Sequence, residues 1–240
     1  MRYCFIAALL LYWPFIFFLA HVPDVPRWIL RTQMSDKTLH YLGYLILVFL
    51  WWFSVYPSKR PSFFSGALWF TIAMMIFYAA ADEWLQRFTH RTPDIMDFSA
   101  DMAGVGTGLV IFAAAGLHFS ALAVTAAVIF ILTSLCKTDP LGFVPIVDIL
   151  FYAGAYGLVT LLWMNYLKRK PALSLLRFIL LSLLVPVILL IVTSAVASIM
   201  RKHLDADRLI AASAGIIVPI IAAVAVSLCR PASKAGVNSS

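Results

Sequence analysis

The chain has 240 residues, of which 63% are hydrophobic and only 12% charged, with a formal net charge of +7. A soluble domain is nearer half apolar and a quarter charged. The balance excludes a soluble enzyme, a disordered chain and a disulfide-stapled secreted module, and it places the chain in a bilayer.

Eight apolar stretches follow one another, at about residues 3–20, 38–56, 63–85, 98–116, 118–136, 144–167, 173–199 and 209–229. Each is close to the roughly 20 residues that cross a bilayer as a helix. Helices are expected because lipid-facing backbone has to satisfy its own hydrogen bonds. The runs are too long, and alternate too little, for an outer-membrane barrel. The expected fold class is therefore all-α, a polytopic transmembrane helical bundle of about eight spans. The first run starts at Arg2 and contains Pro14. It is long for a signal peptide, and its one cleavage-like site, Phe18-Leu19-Ala20, has Phe where a small residue is wanted. It reads as a retained membrane helix, kinked at Pro14. The longest loop, 21–37, carries Pro23, Pro26 and Trp28, and its segment 27–34 reads as lying in the interface. Two turns are tight and basic, Pro57-Ser58-Lys59-Arg60-Pro61 and Lys168-Arg169-Lys170-Pro171. Gly116-Leu117-His118 is read as the turn between spans four and five, with a re-entrant break as the rival. Cys4, Cys136 and Cys229 form no metal or redox spacing and read as small apolar residues. Residues 231–240 read as a disordered tail.

The charges separate by face. Lys and Arg divide evenly, nine on each side of the eight-span topology, so the positive-inside count ties. All 11 acidic residues fall on one side. The acid-free face also holds both tight basic turns, which suit cytoplasmic contact with anionic lipid. Both termini are expected in the cytoplasm, with the acidic face outside. No aromatic-basic or zinc-finger pattern points to nucleic acid.

An internal duplication is also legible. At an offset of 110 residues Tyr56 meets Tyr166, Lys59-Arg60-Pro61 meets Arg169-Lys170-Pro171, Arg91 meets Arg201 and Asp97 meets Asp207. With gaps of one or two residues, Tyr41 and Gly43 meet Tyr152 and Gly154, and Asp36 meets Asp148. The competing reading is chance likeness between apolar segments. The expected organisation is a four-helix unit at 1–116, a second at 117–230 as a degenerate copy, and the tail at 231–240.

The residues able to carry chemistry concentrate between Asp36 and Gly108. Asp36 and His40 are one turn apart and share a helix face. Asp36 also suits the start of a helix, where a carboxylate caps free amides. The third span ends in Asp82-Glu83-Trp84-Leu85-Gln86, with Glu83 and Gln86 aligned at i, i+3 and Tyr78 and Asp82 on a neighbouring stripe. Adjacent acids there also fit a plain water boundary. After Thr89-His90-Arg91-Thr92-Pro93-Asp94, Asp97 and Asp101 stand at i, i+4 at the mouth of the fourth span, followed by Gly104 and Gly108. A carboxylate at mid-membrane costs about 2.5–3.5 kcal/mol, so Asp101 is expected to face the bundle and a partner such as His40 or Arg91. Gly104-xxx-Gly108 permits close helix contact and is by itself structural. Three spans and one loop thus deliver His40, Glu83, Gln86, Arg91, Asp97 and Asp101 to one membrane face. Carboxylates with His hold a divalent cation or exchange protons, and Arg91 suits a phosphate or carboxylate. A purely structural polar network is the alternative.

Asp36-Lys37-xx-His40, Glu83-xx-Gln86-x-Phe88-xx-Arg91 and Asp97-xxx-Asp101-xx-Gly104-xxx-Gly108 together resemble the VanZ-like family of bacterial membrane proteins, over roughly residues 10–116. The family takes its name from an accessory protein associated with teicoplanin resistance. The resemblance implies a bacterial cytoplasmic (inner) membrane and an envelope role. The ligand would be membrane lipid or a lipid-linked or cell-wall precursor, bound or modified on the extracytoplasmic face. It makes His40, Glu83 and Asp101 the candidate catalytic residues, and Arg91, Gln86, Asp97, Asp36 and Lys37 the candidate ligand-binding residues. Metal and cofactor are unspecified. Family members often carry Asn where this chain has Asp101. The second half departs further, with Phe151, Thr193, Val196 and Ala211 at the places of His40, Glu83, Gln86 and Asp101. Chemistry is expected in the first half. A structural or assembly protein, or a transporter, are the other classes.

Overall fold

The computed structural model describes residues 2–22, 34–89, 92–134, 145–169, 173–200 and 206–229. His90, Arg91 and the tail lie outside them, as does the expected interfacial segment except for Met34. Eight α-helices account for most of the rest: α1 (Arg2–His21), α2 (Asp36–Val55), α3 (Gly66–Gln86), α4 (Ile95–Ala114), α5 (Leu117–Ser134), α6 (Pro145–Leu167), α7 (Leu175–Ile199) and α8 (Ala206–Cys229). No strand occurs among the described residues. All eight helices are long and apolar enough to cross a membrane, so the chain is a polytopic helical membrane protein. Large side chains such as Leu10, Phe18, Phe77, Val110 and Ile191 are exposed, as lipid-facing positions should be.

The helix starts are specified locally. Ser35 accepts a hydrogen bond from the Thr38 amide at 3.2 Å, and Ser65 accepts one from the Leu68 amide at 3.3 Å. Asp94 accepts one from the Met96 amide at 2.8 Å. Each cap satisfies one otherwise orphaned amide. Ser35, and not Asp36 as expected, caps α2; Asp36 is its first helical residue. That leaves the Asp36 carboxylate for the site.

The chain forms two compact units, Met1–Pro140 and Leu141–Ser240. The division falls after α5. The reason is α5, whose Val124 is buried in one apolar core with Leu45, Val48, Trp52, Val105 and Phe112. The first unit accordingly holds α1–α5 and the second α6–α8.

In the first unit α2 and α4 run parallel and pack directly on each other, with α3 as the return stretch of chain that connects them. Their register is Lys37 with Asp97, His40 with Asp101, Val48 with Gly108, and Phe49 and Phe53 with Phe112. Gly104 lets the two backbones meet, because a Cβ there would run into the Tyr41 carbonyl oxygen and come within 3.0 Å of the Leu45 amide nitrogen. One turn later a Cβ on Gly108 would lie 2.6 Å from Val48 Cγ1. α1 lies against α2 through Arg2 Nε donating to the Ser54 carbonyl at 3.1 Å and the Tyr12 hydroxyl donating to the Gly43 carbonyl at 3.1 Å. Trp13 meets Trp51 and Tyr78 edge-on.

The second unit repeats one device. Gly215 of α8 sits on the α6 backbone at Ala153 and Gly157, as Gly104 of α4 sits on α2. Near its mouth Arg208 Nε donates to Asp148 Oδ2 at 2.6 Å, and both side chains are nearly buried. Asp207 is exposed, so it does not occupy the environment of buried Asp97, with which it aligns in sequence; Arg208 is the buried neighbour. The buried positions at Thr193 and Tyr156 are joined by a 2.7 Å hydroxyl pair.

Candidate functional site

The site lies at one end of the first unit, where α2 and α4 begin and α3 ends. Helical spacing makes the stripes. On α4 the buried residues run Asp97, Asp101, Gly104, Val105, Gly108, Leu109 and Phe112. On α3 they run Met75, Ala79, Asp82, Glu83 and Gln86. Spacings of three and four keep each set on one helix face, so the polar residues at the end inherit the buried side of their helices.

His40 is the centre. Its Nδ1 is 3.0 Å from Asp101 Oδ1, and its Nε2 is 4.0 Å from Asp97 Oδ2. The carboxylate oxygen accepts, so Nδ1 carries the proton, a tautomer assigned from its partner. Asp101 is completely buried, and its Oδ2 has no hydrogen-bond partner among the described residues. Lys37 donates to Asp97 Oδ1 at 3.2 Å and to Asp94 Oδ2 at 2.9 Å. Lys37 beside Asp94 holds that carboxyl below its ordinary range. Glu83 Oε2 accepts the Asp94 amide at 2.9 Å, and Gln86 Nε2 approaches Glu83 Oε1 at 3.5 Å.

The structure thus brings together seven of the eight residues expected from sequence: His40, Glu83, Asp101, Gln86, Asp97, Asp36 and Lys37. Arg91 lies outside the described residues. His40, not Asp36, is the member of the α2 pair that meets Asp101. Asp94 was read only as part of a turn, yet it ties α2 to α3, receiving Lys37 on its carboxylate and offering its amide to Glu83. Its position three residues before Asp97 was the available signal.

An apolar cavity of about 320 Å³ adjoins the cluster. Its apolar walls include Phe15, Leu19, Ile46 and Leu132, and its polar lining includes Asp36, His40, Tyr44 and Asp82. The Tyr44 hydroxyl is buried and has no hydrogen-bond partner among the described residues. Asp82 Oδ1 lies 3.7 Å from His21 Nδ1. Sequence reading placed neither α1 nor Asp82 in the site. The Tyr78–Asp82 stripe was visible, but nothing local shows that α1 and α5 close a cavity over it. The chain matches no family model, no curated protein and no solved structure.

Proposed function

We propose that the first unit binds an amphiphile at one membrane face, with its chain in the apolar cavity and its polar head against the His40–Asp101–Glu83 cluster. The observation that carries this reading is that His40 belongs to both: it lines the cavity and is paired to Asp101 in the cluster. Ligand sites are mostly apolar hollows with a few convergent polar groups, and the unpartnered Tyr44 hydroxyl is such a group. The resemblance to the VanZ-like family supports an envelope role in a bacterial inner membrane, with a lipid-linked or cell-wall precursor as the amphiphile. The loop charges support an extracytoplasmic site and cytoplasmic termini. The matching glycine seats of Gly104 and Gly215 support the second unit as a degenerate copy lacking the His40 and Asp101 side chains.

The test is native mass spectrometry of the chain released from nanodiscs containing a polyprenyl-phosphate-linked sugar and diacyl phospholipid. The precursor should be retained in preference to the phospholipid. Gly43 lines the cavity, and a Cβ there meets nothing within 4 Å, so Gly43→Leu should fill the space and abolish retention while the chain stays monodisperse. Equal retention by wild type and Gly43→Leu would remove the proposal.

A further inference from the structure

We propose that His40, Glu83 and Asp101 form a binding site for a divalent cation. One donor atom from each of the three lies within 4.8 Å of the others, and all three residues are buried. The set comes from three different helices, α2, α3 and α4, so the distance is a product of packing and not of neighbouring sequence.

The donor chemistry fits an ion of the zinc or manganese kind. One imidazole and two carboxylates offer borderline and hard ligands together. A neutral imidazole with two carboxylates also cancels the charge of a divalent ion, which suits a buried position in a membrane span. The observation that points to a ligand beyond the cluster itself is Asp101 Oδ2. It is fully buried and has no hydrogen-bond partner among the described residues, although a buried carboxylate oxygen is ordinarily satisfied.

The surroundings resemble those that orient metal ligands. Glu83 is held by the Asp94 amide and approached by Gln86; an ion on Nδ1 would displace the imidazole proton to Nε2, which faces Asp97, itself held by Lys37. Such outer partners fix the rotamers of the ligating groups. A second set, Asp36, His40 and Asp97, meets the same distance, but Asp36 is exposed. It also contains no unpartnered buried donor among the described residues, so the first set is the site. A bound cation would neutralise the two carboxylates and so let this acidic mouth accept a phosphate-bearing head. The proposal rests on the cluster being a ligand site, as above, but requires no lipid.

The experiment uses the full chain in detergent, stripped with EDTA, re-equilibrated with Zn²⁺ or Mn²⁺ and desalted, with metal content read by plasma mass spectrometry. Wild type should retain roughly one ion per chain. His40→Ala and Asp101→Ala should each weaken binding by at least the roughly 10- to 100-fold that loss of an outer partner costs, while Asp148→Asn binds as wild type does. Because the alanine variants could fail to fold, Co²⁺ absorption of wild type is the second measurement, with bands of mixed nitrogen–oxygen coordination expected. A monodisperse wild type that takes up no ion overturns the proposal, as do folded His40→Ala and Asp101→Ala chains that bind as much as wild type. Precursor retention by an EDTA-stripped chain that binds no ion defeats the cation site alone. Ion binding without precursor retention defeats the amphiphile reading alone.

Discussion

His40 and Asp101, 61 residues apart in sequence, meet at 3.0 Å in the buried mouth of two parallel helices. The contact holds α2 and α4 together where Asp101 is fully buried and an unpaired carboxylate would be costly. Removing the histidine strands Asp101, so His40→Ala should destabilise the first unit by about 3–5 kcal/mol. Asp101→Asn keeps an acceptor for Nδ1 and should cost about 1 kcal/mol. Denaturant unfolding in mixed micelles measures both, and equal losses would contradict the ordering.

The two glycines that face α2 from α4, and the one within α2, should behave oppositely. Gly104→Ala puts a methyl against the Tyr41 carbonyl, where backbone must yield. A loss of about 1–3 kcal/mol is expected. Gly43→Ala enters open space and gains helix propensity, so it should be neutral or stabilising by up to about 1 kcal/mol. Melting temperatures of the two variants against wild type decide it.

Asp94 gives the first unit an acid-sensitive contact. Its folded pKa lies below the ordinary value because Lys37 donates to the carboxylate. The favourable pairing is thus fully present above the ordinary aspartate value of about 3.9. It is lost as pH falls through the lower folded value. The melting temperature of wild type should exceed that of Asp94→Asn near neutrality, and the gap should close under acid. A gap that persists once the carboxylate is fully protonated would assign the effect to the helix cap instead.

In the second unit Arg208 and Asp148 form a pair at 2.6 Å with little exposure. Arg208→Ala leaves a buried carboxylate and should cost about 3–5 kcal/mol, whereas Arg208→Ala with Asp148→Ala should recover much of it. Zn²⁺ uptake by the first unit should not change. The unfolding free energies of the single and double variants form the cycle that tests the pairing.

Topology is open to direct labelling. In a chain without Cys4, Cys136 and Cys229, single cysteines at Ser58 and Thr92 should react with an impermeant maleimide from opposite sides of the membrane. The first should be protected in intact cells and the second accessible. Labelling of both from one side would refute the alternation of α2, α3 and α4.

What was legible beforehand follows from the kind of signal involved. Apolar run length is a property of consecutive residues, and it located all eight helices to within a few positions. The i, i+3 and i, i+4 spacings showed that Glu83 and Gln86 share a face, as do Asp97 and Asp101. Helix length carries no record of which neighbour a helix packs upon, so the packing of α5 on the first core through Val124 was not legible.

By itself the sequence determined the membrane-spanning character and the helical class, and it singled out a set of polar candidates near the helix ends, because composition and periodicity are local. The tertiary structure alone decided which of them touch. It pairs His40 with Asp101, makes Asp94 a link between helices, and closes a cavity beside the cluster with α1 and α5. The pairing depends on how closely two backbones approach at Gly104, and the link and the cavity on which helices pack together, neither of which a linear pattern encodes.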